Sequence, residues 1–454
     1  MKVKTRIAPS PTGFLHVGTA QSALYNWLFA HKNKGEFNLR IEDTDKARST
    51  KKAEKNIIEG LIWLGLKWDG DISHSTDNQS RYTKLLEQLI KEGRAFYCHH
   101  SQEELEAERK NQESDKQAPL HACEHKNTNK GKETRGIIRL AVDEKSDRLI
   151  VFDDQVRGRV EFQQSLLGDF SIARSINDAL YHFAVVVDDI DMKITHVLRG
   201  EDHISNTPKQ ILIYEALGKD VPQFGHLPLL LAPDRSKLSK RNGVTSISDY
   251  KKDYLPEVII NFLGILGYTF SKEIISREEM AQEFELSKVH KSGAMFDIKK
   301  LNWLNSQYIK KLPPEEFKRI ASVPELPDEA VPLVIERLEK LSDVQNFDYF
   351  WKEPEYDKSL LRWKNMEVKD IINSVSASIV IVGKIGLDNK TELRSELDKL
   401  AKEKFEGNRG AVYWPLRVSL TGKERSPDPV EIASILGPKE TQERLNEAKK
   451  KLES

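Results

Sequence analysis

Three short stretches of this sequence carry residue types that do chemistry. The first is Gly13-Phe14-Leu15-His16-Val17-Gly18-Thr19, whose two glycines have the spacing of a phosphate-cradling P-loop. Such a loop needs a lysine and then a hydroxyl directly after the second glycine, to reach the outer phosphates and to hold Mg²⁺. Thr19 and Ala20 stand there instead, which excludes a P-loop. What remains is a histidine beside a small residue at a helix start, where backbone N–H groups and the helix dipole favour an anion. The second stretch, LAPDRSKLSKRNG, places Lys237, Ser239, Lys240 and Arg241 in a loop flanked by Pro and Gly. The third pairs Cys98-His99-His100 with Cys123-Glu124-His125. In extended chain, residues two apart point to one side, so Cys98, His100, Cys123 and His125 offer two thiolates and two imidazoles. That set suits a closed, tetrahedral structural zinc site, with His99 and His121 as substitute ligands. Both cysteines of the chain fall in this pattern.

These residues must be positioned by regular elements. Lys4 to Ala8 reads as a short buried strand, PSPTG as a turn, and Val17 to His31 as an amphipathic helix with Leu24, Trp27 and Leu28 on one face. Phe37 to Asp45 reads as a second strand ending in acidic residues, and helical patterns follow at 50–66 and 80–93. Strand, helix, strand at this spacing predicts a parallel, doubly wound sheet. Its ligands bind beyond the carboxyl ends of the strands, where Ala8 to Gly18 lies. From Ser101 to Lys132 the chain turns polar, and 135–190 alternates β-like runs such as GIIRL and LIVFDD with turns, the mark of an inserted domain. FAVVVDD, Phe183 to Asp189, is nearly all apolar and reads as a strand buried on both faces that returns to the central sheet. Beyond Leu255 the pattern becomes helical, and 312–454 is Lys/Glu-rich with breaks at Pro313, Pro314, Pro324 and Pro327 and without an internal repeat.

Composition sets outer bounds. A chain of 454 residues exceeds the size at which a single core stops growing, so several domains are expected. Its 71 basic and 71 acidic residues remove any argument for nucleic-acid binding from total charge, but leave local basic surfaces open. No apolar run is long enough to span a bilayer, and Pro9, Ser10, Pro11 and Gly13 interrupt the place where a leader's apolar stretch would stand. Two cysteines cannot build a disulfide framework. The expectation is a cytoplasmic enzyme without membrane contact.

His16-Val17-Gly18-Thr19 and Lys237-Leu238-Ser239-Lys240-Arg241 resemble the HIGH and KMSKS signatures of class I aminoacyl-tRNA synthetases. Together with RIAPSPTGFLHVGTA, FNLRIEDTD, LRGEDHISNTPKQ and LLLAPDRSKLSKR, spread in order over about the first 245 residues, they resemble bacterial glutamyl-tRNA synthetase. The resemblance implies an α/β fold: a Rossmann-type catalytic domain at 1–79 and 178–235, an inserted α+β acceptor-end-binding domain at 80–177, a KMSKS-type loop and helical stem-contact domain at 236–312, and an all-helical anticodon-binding region at 313–454. It implies ATP with Mg²⁺, L-glutamate and tRNA(Glu) as partners, and a monomer. His16, Lys237 and Lys240 are then catalytic, with Gly18, Thr19 and Ser239 also at the ATP, while Arg6, Tyr181 and Arg199 hold the glutamate side chain and Ser10 and Glu42 its ammonium. An Arg fork suits a carboxylate and disfavours glutamine, whose amide puts a donor where the guanidinium needs an acceptor. Ala179-Leu180 and Val185 depart from the family's usual residues around this pocket. Members with a zinc site carry C-x-C…C-x-H, so His100 stands here in place of a cysteine. Lys126, Lys130, Lys132 and Arg135 are placed either on tRNA phosphates or on a solvated face, and Arg409, Tyr413, Trp414 and Arg417 either on unstacked bases or in helix packing. Three alternatives stay open: an enzyme that also charges tRNA(Gln) with glutamate, a glutaminyl-tRNA synthetase, and a tRNA-modifying relative, which lacks the helical half present here.

Overall fold

Short apolar runs, buried on both faces, build the central sheet. Lys4–Ile7 pairs in parallel with Glu36–Ile41, with Arg6 opposite Asn38, and Glu36–Ile41 pairs in parallel with Ser73–His74. A second parallel pair, His196–Gly200 with Gln223–Leu227, sets Arg199 opposite His226. The two pairs lie side by side, because the Thr195 N–H donates to the Lys4 carbonyl at 3.0 Å and the Lys4 N–H to Thr195 Oγ1 at 2.8 Å. The chain order therefore reverses between Lys4–Ile7 and His196–Gly200, which is the switch point where open α/β sheets take their ligands. The computed structural model describes residues 2–116, 120–131, 135–236, 238, 245–385, 387 and 389–454.

The helix Val17–Lys32 starts where the first strand's turn ends. His16 caps it in extended conformation, its Nδ1 accepting the Gly18 N–H at 3.1 Å. Ala20, Ala23, Leu24 and Leu28 are fully buried, and on its far side Gln21 and Tyr25 donate to the carbonyls of Leu263 and Gly264 in the helix Pro256–Ile265. The helix is therefore buried on two sides, beyond the single apolar face of Leu24, Trp27 and Leu28 that the sequence pattern marks.

One expectation is corrected. Phe183 to Asp189 is not a strand but lies within the helix Tyr181–Asp191. All seven of its residues are buried, Phe183 to Val187 in one apolar cluster with Tyr82, Leu86 and Ile213, and Asp188 and Asp189 against Arg40. A helix enclosed on every side loses its polar stripe, and the three successive valines then imitate a strand. The strand that returns to the sheet is His196–Gly200.

Between Ala95 and Ala179 a four-stranded antiparallel sheet runs in the order Ala95–Cys98, Ile137–Leu140, Ser171–Ser175, Asp178–Ala179. The helix Gln102–Ser114, started by a Ser101/Glu104 capping box, buries none of its side chains. A hairpin of Leu149–Asp154 with Gly158–Gln163 runs to the catalytic sheet, where the Gln155 N–H donates to the Phe224 carbonyl at 2.8 Å.

The chain divides into two compact units, Met1–Lys251 with Leu255–Leu301, and Lys252–Tyr254 with Asn302–Ser454. In the second, the described residues are helical and lack strands: Val368–Ile385, Lys390–Lys404, Gly410–Thr421 and Pro429–Glu453 are its long elements. Arg444 knits it together, donating to the carbonyls of Tyr349, Leu420 and Lys352.

Candidate active site and metal-ligand cluster

A cavity of about 350 Å³ opens at the switch point. Arg6, Ser10, His16, Gly18, Thr19, Glu42, Tyr181 and Arg199 all line it, although up to 193 positions separate the first from the last. The carboxyl end of the first strand contributes Arg6 and the turn after it Ser10; the helix start gives His16, Gly18 and Thr19; the second strand's end gives Glu42 and the switch-point strand Arg199. With Nδ1 of His16 occupied as an acceptor, the ring's proton belongs on Nε2.

Lys237, Ser239, Lys240 and Arg241 lie outside the described residues. Both flanks of their loop are described, and each is tied to the elements around this cavity. Leu238 lines it and donates its N–H to Leu230, while the Val17 N–H donates to Thr245 and the Ile247 N–H to Leu15, each at 2.9 Å. His16 and Ser246 form an isolated antiparallel bridge. The two signature segments are thus bonded to one another through the loop's carboxyl flank.

Below the cavity floor is a charge network that the sequence reading did not single out. Arg6 donates Nε and Nη2 to the two oxygens of Asp189 at 3.0 and 3.3 Å, which leaves its Nη1–Nη2 edge for a ligand. Arg40, fully buried, reaches Asp189 at 2.5 Å, Glu42 at 2.9 Å and Asp188 at 3.6 Å. Burial opposes the charge on Asp189, but Arg40 and Arg6 outweigh it and hold the carboxyl below its usual range. At Glu42 burial wins over the pull of Arg40 and pushes the carboxyl up. Burial likewise raises the Tyr181 phenol and lowers the Arg199 guanidinium. His203, whose Nδ1 is 3.3 Å from the Tyr181 hydroxyl, is pushed down to about 4 by burial first and Arg199 second, so its ring is neutral. A signal for Arg40, Asp188 and Asp189 existed in the sequence: charges embedded in FNLRI and FAVVVDD must be paired once those runs are buried.

The Cys/His stretches also meet. Ligand atoms of Cys98, His100, His121 and Cys123 all lie within 4.8 Å of one another, as do those of His100, Cys123, Glu124 and His125. The tight set that contains both thiols has His121 as its fourth member, and His125 sits beside Cys123 at 3.3 Å. His100 Nδ1 is 3.4 Å from Cys98 Sγ and 3.6 Å from Cys123 Sγ. His121 turns Nε2 to Cys98 at 3.7 Å and Nδ1 to Glu108 at 2.6 Å, the carboxylate–imidazole arrangement that orients metal-binding histidines. Asp169 pins the second arm by accepting the Cys123 N–H at 2.8 Å, and Gly168, at φ +60°, comes so close to the His121 backbone that a Cβ would stand 2.9 Å from its nitrogen. Burial opposes a thiolate, but hydrogen bonds to His121 and His100 favour one at Cys98. Both cysteines are free of disulfide, and a soft divalent ion fits this donor set. His99 is exposed and belongs to neither set.

The other candidates divide. Lys126 is paired with Glu144 and Asp169, which removes it from a free phosphate-binding face; Lys130 and Arg135 are exposed, and Lys132 lies outside the described residues. In the helical unit Arg409 and Tyr413 both engage Asp398, at 2.8 and 2.9 Å, and Trp414 donates to the Leu360 carbonyl at 2.8 Å, which favours packing over base contacts.

Residues 2–303 match the family described as tRNA synthetases class I (E and Q), catalytic domain, and residues 279–449 match the anticodon binding domain. The glutamate–tRNA ligase of Carboxydothermus hydrogenoformans is 40% identical over 98% of this chain and 99% of its own. Glutamate–tRNA ligase 2 of Thermoanaerobacter pseudethanolicus is 38% identical over 98% of each. A crystal structure of a glutamate tRNA ligase from Elizabethkingia meningosepticum, in complex with its amino acid, is similar with a TM-score of 0.86 at 31% identity, covering 99% of both chains. Among the described residues no helix is long and apolar enough to cross a membrane. The chain belongs to the glutamate–tRNA ligase family of class I aminoacyl-tRNA synthetases.

Proposed function

We propose that this chain activates L-glutamate with ATP and transfers it to the 3′ end of tRNA(Glu). The α-carboxylate attacks the α-phosphorus and expels pyrophosphate; a terminal ribose hydroxyl of the tRNA then attacks the acyl carbon of the adenylate and releases AMP. The observation that carries this reading is a cavity with two buried guanidinium groups, Arg6 and Arg199, and, besides Asp202, the Glu42 carboxylate among its walls. An amino acid whose side chain is a carboxylate satisfies all three: the side chain meets the guanidinium donors of Arg6 and Arg199 beside Tyr181, and its ammonium meets Glu42 and Ser10.

His16, Gly18 and Thr19 at the helix start steady the ATP phosphates from one side, and Lys237, Ser239 and Lys240 from the other. Mg²⁺ bound to the ATP neutralises phosphate charge. A structural zinc ion held by Cys98, Cys123 and His100, with His125 or His121 completing the set, fixes the knuckle of the domain that takes the acceptor end. The division at 1–79 with 178–235, 80–177, 236–312 and 313–454 remains our domain assignment, and a cytoplasmic monomer our assignment of state.

Charging of tRNA with labelled glutamate and, separately, glutamine tests the reading. Glutamate on tRNA(Glu) supports it, glutamate on tRNA(Gln) as well extends it to the broader enzyme, and glutamine alone overturns it.

A further inference from the structure

Behind the pocket wall, Asp154 and His226, which lie outside the stretches that carry the resemblance, join Thr207 and Arg199 in a buried chain of polar contacts. His226 is 0% exposed and Asp154 4%. Asp154 Oδ2 is 2.5 Å from His226 Nδ1, and the carboxylate also accepts the backbone N–H groups of Val156, Arg157 and His226 at 2.9, 2.8 and 3.1 Å. A carboxylate so supplied with donors is an acceptor only, which places the imidazole proton on Nδ1 and leaves a lone pair on Nε2. That lone pair faces Arg199 Nε at 3.3 Å and Thr207 Oγ1 at 3.0 Å, and Arg199 Nη2 donates to Thr207 Oγ1 at 2.9 Å. In the opposite tautomer an N–H would confront the guanidinium. Burial, the largest influence on His226, disfavours the imidazolium and agrees with a neutral ring.

Arg199 itself is 7% exposed and lines the cavity, yet its Nη1 has no hydrogen-bond partner among the described residues. A buried donor left unpaired is costly, so something must hold the guanidinium in this pose for an arriving acceptor. Nε and Nη2 are the two donors that are held, and Nη1 is the one left for the ligand. Strand register supports this, since Arg199 and His226 are direct partners in the parallel pair. The carboxylate comes from the end of the hairpin Leu149–Asp154, whose attachment at Phe224 keeps it beside His226.

We propose that Asp154 and His226 are positioning residues that fix the tautomer and orientation by which Arg199 presents Nη1 to the substrate's side-chain carboxylate, and so set glutamate affinity and the rejection of glutamine. The inference rests on the glutamate-activating reading above.

Pyrophosphate exchange in the presence of tRNA tests it with His226→Leu, which removes both the donor and the acceptor, and His226→Gln, which keeps one of each. The Leu variant is expected to raise the glutamate KM at least about tenfold, with the ATP KM unchanged, and to narrow the preference for glutamate over glutamine; the Gln variant is expected to stay within about threefold of wild type. Equal behaviour of the two variants, or parallel changes for ATP and glutamate, overturns the proposal. Should His226→Leu fail to fold, Asp154→Asn takes its place, and an unchanged glutamate KM in that variant overturns the proposal too. Wild-type protein that does not exchange with glutamate refutes the function instead, so the two failures are distinct.

Discussion

Removing the Asp189 carboxylate should weaken both the fold and the glutamate site. Its side chain is 4% exposed and takes two hydrogen bonds from Arg6, at 3.0 and 3.3 Å, and one from Arg40 at 2.5 Å. Breaking a buried ion pair by deleting one partner costs about 3–5 kcal/mol, because the other charge stays buried. Arg40 retains Glu42 at 2.9 Å and Asp188 at 3.6 Å, so the deficit falls mainly on Arg6. Asp189→Ala is therefore expected to cost about 3 kcal/mol, the lower end of that range. At about 2–4 °C per kcal/mol the catalytic unit should melt roughly 6–12 °C lower in calorimetry. Asp189→Asn, which keeps the volume and one acceptor, should lose less. The carboxyl is held below its usual range, so its contribution is complete above the ordinary aspartate value of about 4 and disappears as pH falls through the lower folded value. Wild type and Asp189→Asn should then differ fully at neutral pH and converge only in strong acid. With Arg6 released, the glutamate KM should rise about tenfold or more. A loss below about 1 kcal/mol with an unchanged glutamate KM would refute the reasoning.

Four further outcomes are expected. Burial raises Glu42, and the ammonium needs it ionised, so the acid limb of glutamate kcat/KM should lie above the ordinary glutamate value of about 4.3 and should vanish in Glu42→Gln; a limb that survives the substitution contradicts this. Lys240→Ala should reduce adenylate formation far more than tRNA binding, and equal losses would remove its assigned role. Metal analysis should find one zinc per chain, absent from Cys98→Ser; a metal-free wild type argues against the site. Trp414, bonded to Leu360 and packed at 5.0 Å against Trp363, should cost about 3–5 kcal/mol in the helical unit when replaced by Ala, whereas weaker tRNA binding at unchanged stability would mark it as a base contact.

The catalytic half was legible because its motifs sit at element ends, where chemistry dictates residue type. The strand, helix start and second strand that carry Arg6, His16 and Glu42 were marked by pattern, whereas the roles expected of Arg6 and Glu42 came from the family resemblance. The helix Tyr181–Asp191 was misread because burial on every side erased the 3.6-residue period, leaving three successive valines as the visible signal. Asp189 was then read as a strand end rather than as the partner of Arg6 and Arg40, although a carboxylate among apolar residues announces a buried pair. Asp154 and His226 lie 72 positions apart, and nothing in LIVFDD or HLPLLL says that they touch. The Cys/His pattern was legible as a cluster, but spacing cannot choose between His121 and His125; that depends on Gly168 and Asp169, which steer the second arm.

Pyrophosphate exchange with glutamate and with glutamine, each with and without tRNA, isolates amino-acid choice at the step we assign to Arg6, Arg199 and Glu42. Exchange with glutamate, dependent on tRNA, and little or none with glutamine is expected. Exchange with glutamine but not glutamate would contradict it.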